Sequence, residues 1–233
     1  MRKPIANYVL LLALALAAPA SPAQGLAPDA MLRALSFEVI DELSQDGEPR
    51  PADPARLAAL VEARILPQFD FVHMTRLAMA RNWRLATPEQ QRVLTEEFKM
   101  LLVRTYSTAL AQYRGETIDF RKLRAASSAT ELTVRSVVRQ PGKEQMTLDY
   151  DMEKTPAGWK IYDVKVAGVR LVATYRDIFA EKVRDVGIDG LIKSLADGNR
   201  GGASRFNSIK NSFWEKSHVL YAIFRDLFRG GRQ

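Results

Sequence analysis

The feature that most restricts the fold is a change of period inside the stretch GWKIYDVKVAGVRLVATYRDIFAEKV, Gly158 to Val183. Up to Val166 the chain alternates, with Tyr162, Val164 and Val166 on one face and Asp163 and Lys165 on the other, as in a strand with one buried side. Trp159 and Ile161 interrupt the polar face, which predicts either a sheet covered on both sides there or a bulge. After Gly168 the period becomes helical: Leu171, Val172, Tyr175, Ile178, Phe179 and Val183 share one arc, and Arg176, Asp177, Glu181 and Arg184 face away. So short a connection obliges the helix to fold back near the sheet, and the space between them is the natural place for a core or a pocket.

The rest of the chain supplies the partners of this unit. Met31, Leu32, Leu35, Val39, Ile40 and Leu43 recur at helical spacing before Gly47, Asp53-Pro54 opens a second helix that Pro67 ends, and a third starts near Phe69-Asp70-Phe71 and runs toward Trp83. Thr87-Pro88-Glu89-Gln90 is a capping box, followed by a broad apolar face of Leu94, Phe98, Leu101, Leu102, Tyr106, Ala109 and Tyr113. The hydroxyls of Tyr106 and Tyr113 are expected to reach water at the edge of the core. Beyond Gly115 the period falls to two around Ile118 and Phe120, Leu132 to Val138 and Met146 to Met152, with turns at Pro141-Gly142 and Thr155 to Gly158. The fold class expected is α+β: a largely antiparallel twisted sheet of about four strands packed by several helices, enclosing an apolar pocket.

Arg2 and Lys3 ahead of the apolar run Val9 to Ala18, with small residues at Ala18-Pro19-Ala20 and Ser21-Pro22-Ala23, read as a secretory signal peptide. A membrane anchor is the alternative, but the run is short of the roughly 20 apolar residues that span a bilayer. The expected organisation is therefore 1–23 signal peptide, 24–197 folded domain, 198–205 linker and 206–233 basic amphipathic tail. With no cysteine, an exported chain has to rely on its core rather than on disulfides. The formal net charge of +7 sits in the leader and in the tail beyond Asn199; residues 24–198 are neutral, which argues against a nucleic-acid partner.

No motif carries catalytic chemistry. His73 near Asp70, or Asp163 in a pocket, are the candidate acid–base groups, and no nucleophile elbow, phosphate loop or dinucleotide fingerprint accompanies them. Two histidines and no cysteine leave little for zinc, and Asp149, Asp151 and Glu153 read as a hydrated strand face. No metal and no cofactor are expected. An enzyme of the isomerase or dehydratase kind, built in a small α+β pocket, is one reading of such a chain, and a purely structural envelope adaptor is another.

The ordered set Pro67-Gln68-Phe69-Asp70-Phe71, Met74-Thr75, Trp83-Arg84, Ala86 to Gln91, Phe98, Thr105-Tyr106, Asp149-Tyr150 and Gly158 to Val164 resembles the MlaC family, also called the toluene-tolerance auxiliary component family. Gly168-Val169, Leu171-Val172, Tyr175-Arg176, Phe179, Gly187-Ile188-Asp189 and Leu191-Ile192 continue the resemblance, which covers about residues 30–197. It implies a non-enzymatic periplasmic phospholipid carrier with an MlaC-like fold, one half of it nuclear-transport-factor-like. Such a carrier shuttles lipid between an outer-membrane lipoprotein complex and an inner-membrane ABC transporter with its substrate-binding ring protein, maintaining outer-membrane lipid asymmetry. Arg170 stands where a small polar residue is expected, and the chain continues well past Leu195. The inward faces nominate Leu102, Tyr106, Val134, Met146, Leu148, Tyr150, Val164, Val166, Leu171, Tyr175 and Ile178 as the lining of a lipid pocket, with phospholipid as cargo. In the tail, Phe206–Phe228 reads as an amphipathic helix whose aromatic and basic residues suit an anionic membrane surface.

Overall fold

The structure, a computed structural model, describes residues 26–45, 48–49, 53–110, 115–124, 126, 128–139 and 144–200. The leader, the tail with Phe206–Phe228, Tyr113 and the Pro141-Gly142 turn lie outside the described residues. Helix α1 (Pro28–Glu42) is followed by a small ribbon of β1 (Ser44–Gln45) and β2 (Glu48–Pro49). Helix α2 (Pro54–Leu60) starts where the side chain of Asp53 accepts from Ala55 N at 2.9 Å, then loosens into a π turn over Val61–Ile65 before Pro67. Helix α3 (Phe71–Met79) is capped by Asp70, which accepts from His73 N at 2.7 Å. It ends in a 3-10 segment, Ala80–Leu85, entered through Ala80 at φ 47 and ψ −125. Helix α4 (Pro88–Leu110) opens on the expected box: Thr87 N donates to Gln90 Oε1 at 2.9 Å and Gln90 N to Thr87 Oγ1 at 3.2 Å.

Five antiparallel strands follow in sequential order: β3 (Thr117–Phe120), β4 (Glu131–Arg139), β5 (Met146–Thr155), β6 (Gly158–Val166) and β7 (Val169–Arg170). The fifth arises because Ala167 and Gly168, both at positive φ, make a two-residue hairpin before the helix instead of leading straight into it. Helix α5 (Leu171–Arg200) is broken at Gly187, whose φ of 74 suits glycine. Its first half buries Val172, Tyr175 and Phe179 against α3 and α4. Phe98 of α4 meets Tyr175 and Phe179 edge-on at 4.9 and 5.1 Å.

The interruption at Trp159 and Ile161 resolves as a bulge, one step further on. Asp151 pairs with Asp163 and Met152 with Ile161, so Tyr162 is the extra residue. Ile161, Val164 and Val166 therefore share the inward face, whereas Tyr162 leaves it and stacks on His73 with ring centroids 4.5 Å apart. Below the bulge, Asp70 N donates to Ile161 O at 2.8 Å, so the chain entering α3 completes the free edge of β6.

The outer face is less hydrated than alternation suggests. Asp151 and Asp163, opposite one another across β5 and β6, are both buried and both bound by Arg170 Nη1, at 2.5 and 3.0 Å. Thr133 Oγ1 donates to Asp151 at 2.6 Å, and Asp163 Oδ1 accepts from Val172 N at 3.1 Å in the first turn of α5. The arginine that departs from the resemblance thus ties two strands to a helix start. Burial raises the Asp163 carboxyl above its usual range, against the hydrogen bonds from Val172, Arg170 and Val164.

Candidate functional site

Between the sheet and the helices lies a cavity of about 330 Å3. Its walls come from elements far apart in sequence: Leu32, Leu35, Ser36, Val39, Ile40 and Leu43 of α1, Val61, Ile65 and Leu66 at the π turn, and Phe69, Phe71 and Met74 around α3. Leu102, Val103, Tyr106 and Ser107 of α4, Thr117, Ile118, Val138, Leu148, Tyr150, Ile161, Val164 and Val166 of the sheet, and Leu171 of α5 complete it. Glu116, which is buried, is the one carboxylate among the described lining residues. A π turn in the wall matters because such turns concentrate where a helix must bend around a functional site.

Of the residues nominated from sequence, the cavity wall contains Leu102, Tyr106, Leu148, Tyr150, Val164, Val166 and Leu171. Val134, Met146, Tyr175 and Ile178 lie in the packed core instead. Val134 points inward as its alternation requires, but it is filled over by Leu32, Phe120, Met152 and Ile161. Tyr175 is packed against Phe98 and Phe179, and Ile178 and Met146 belong to the same cluster. Facing inward and facing empty space are different properties. The wall residues that sequence reasoning did not nominate are chiefly those of α1, although Leu32, Leu35, Val39, Ile40 and Leu43 did stand out as an apolar stripe.

The two tyrosines of the wall find hydrogen-bond partners inside the protein. The hydroxyl of Tyr106 bonds that of Tyr175 and does not reach out to water as expected, and Thr105 also serves Tyr175. Burial pushes the Tyr175 phenol up to about 12 and raises those of Tyr106 and Tyr150 well beyond the ordinary tyrosine range. Tyr150 bonds Ser136, whose Oγ donates to Leu148 O at 2.5 Å.

The candidate acid–base groups fall outside the cavity wall. Asp70 is a helix cap; His73 Nδ1 lies 2.5 Å from Glu153 Oε1; Asp163 is held by Arg170 on the other face of the sheet. Among the described residues no group of three or more His, Cys, Asp or Glu is arranged to hold a metal ion, and no helix is long and apolar enough to cross a membrane.

An antiparallel sheet packed by helices around an apolar chamber defines a pocket protein for an apolar ligand. The comparisons with known proteins narrow that class. The family described as MlaC protein matches residues 33–197, and the chain belongs to it. The toluene tolerance protein ttg2D of Pseudomonas putida is 25% identical over 210 residues, covering 89% of this chain and 95% of that one. Among solved structures, the phospholipid-binding protein from Ralstonia solanacearum in complex with a phospholipid superposes with a TM-score of 0.67 and 37% identity, over 75% of this chain and 97% of that one.

Proposed function

We propose that this protein is a periplasmic phospholipid carrier that takes acyl chains into the cavity and leaves the head group toward water. The observation that carries the reading is the cavity itself: an apolar chamber of about 330 Å3 in the MlaC fold, with no candidate acid–base pair read from sequence in its wall. Transfer of lipid needs no bond chemistry. Each methylene withdrawn from water is worth about 0.8 kcal/mol, so two chains of about 15 methylenes give a gross term of about 24 kcal/mol. Lipid therefore does not cross an aqueous gap unaided, whereas a dry cavity matched to the bilayer makes exchange nearly neutral. The chamber lies at the low end of small-ligand pockets, about 300–1,000 Å3, so a two-chain lipid requires the wall to give. Helix α1 and the π turn are the parts suited to yield, because Leu35, Val39, Ile40 and Ile65 are only half buried around the space they line.

In the pathway that this reading implies, lipid passes between an outer-membrane lipoprotein complex and an inner-membrane ABC transporter with its ring protein. The basic amphipathic stretch Phe206–Phe228 is proposed to hold the carrier near its leaflet. The decisive experiment is organic extraction of protein purified without detergent from a lipid-containing host, followed by mass spectrometry. Phospholipid at about one molecule per protein supports the reading, and an empty protein refutes it. Flotation with anionic vesicles, comparing the chain with one ending at Arg200, tests the tail: equal binding by both refutes that part alone.

A further inference from the structure

Where β3 leaves the sheet, Arg121, Lys122 and Arg124 turn back toward the start of β4 and, with Arg135 and Glu131, border an open cleft of about 520 Å3. It shares no residue with the apolar cavity. Its frame is fixed by backbone contacts: Arg121 N donates to Arg135 O at 2.9 Å, and Arg33 of α1 donates to Phe120 O at 2.8 Å with its guanidinium over the Phe120 ring. Four exposed cations thus line the cleft with Glu131 as the one lining carboxylate, and Asp149 of β5 stands across the strand pair from Arg135. Among the described residues none of the four forms an ion pair, while Arg92 pairs with Glu89, Arg139 with Asp119 and Arg170 with Asp151 and Asp163.

Residues 24–198 carry no net charge, so this clustering is a segregation of charge and not a symptom of a basic domain. Gathered cations repel one another, and a concave site concentrates their field, so an anion bound there relieves the repulsion. Guanidinium groups suit phosphate oxygens because their paired N–H donors match them geometrically. A protein partner would call for large apolar or aromatic anchors, and the described residues of this cleft provide no aromatic side chain, only half-buried Leu123 and Leu132.

We propose that the cleft docks the protein on anionic bilayer surfaces by binding lipid phosphates, at a site separate from the lipid carried inside. The test is flotation of the full exported chain with vesicles of phosphatidylcholine alone and with a quarter phosphatidylglycerol, at low and high salt. Replacing Arg121→Gln together with Arg124→Gln should weaken binding to the anionic vesicles about thirtyfold at low salt, with much less effect at high salt. Lys122→Gln with Arg135→Gln should do the same, which guards against misfolding of the first pair, and circular dichroism reports folding of both. Arg81→Gln with Arg84→Gln, exposed cations elsewhere, should leave binding unchanged. Extracted phospholipid per protein should be unaltered in all three variants. The proposal is overturned if the cleft variants bind as the parent does, if the Arg81 and Arg84 pair loses as much, or if the parent shows no preference for anionic vesicles. It is equally overturned if only binding to an acidic protein changes, or if cargo falls in step with vesicle binding.

Discussion

Replacing Arg170→Met tests how the two buried aspartates are tolerated. The side chains of Asp151 and Asp163 are 6% and 4% exposed, while that of Arg170 is 46% exposed. Removing one partner of a fully buried ion pair costs about 3–5 kcal/mol, because the remaining charge keeps its desolvation and loses its compensation. Water already screens the half-exposed guanidinium, so the figure is discounted to about 2 kcal/mol. For a domain of this size that corresponds to a fall in Tm of about 4–8 °C. The pH dependence supplies a second check. The share of the deficit carried by Asp163 exists only while that carboxyl is ionised, so it is full at neutral pH and shrinks as the pH drops toward the ordinary aspartate value of about 3.9. The raised pKa of Asp163 places the start of that recovery above 3.9. Because Asp163 also caps α5 through Val172 N, the variant should retain lipid less well, through Leu171 at the cavity wall. Calorimetry at neutral and acid pH, with Asp151→Asn and Asp163→Asn added to restore most of the loss, provides the measurement. A Tm unchanged within about 1 °C, or a deficit equal at both pH values, would refute the reasoning.

Leu148→Glu places a carboxylate in the cavity wall and should lower phospholipid extracted per folded protein by more than it lowers folded yield; proportional losses would make Leu148 ordinary core. Ala80→Gly should raise stability by about 1 kcal/mol in denaturant melts, since Ala80 sits at φ 47 where glycine is unstrained; a lower midpoint would contradict this. Burial holds the folded phenols of Tyr106, Tyr150 and Tyr175 above their unfolded value, so their contribution is intact below about pH 10 and is lost as the pH rises toward the folded values. Stability should therefore decline above pH 10 by about 1.4 kcal/mol per pH unit for each such tyrosine. Tyr175→Phe should flatten that decline, which ultraviolet titration alongside thermal melts can follow.

The amino-acid order by itself determined whatever depends on neighbours within a turn or a strand. Asp53 before Pro54, the reciprocal Thr87–Gln90 cap and the alternation of Met146, Leu148, Tyr150 and Met152 state local rules that the tertiary structure had no reason to overrule. The family was also legible, because its motifs are ordered along the chain. Only the tertiary structure decided matters of depth and phase. Periodicity says which side of an element faces inward, but Val134 and Val164 face inward alike, and distant packing by Leu32 and Phe120 is what fills the space over one while a cavity remains by the other. The bulge shifts phase by a single residue and so sends Tyr162 to His73 and not to the cavity. Asp151 and Asp163 look like surface carboxylates until β7 brings Arg170 across them, because burial belongs to the assembled layers and not to any one strand.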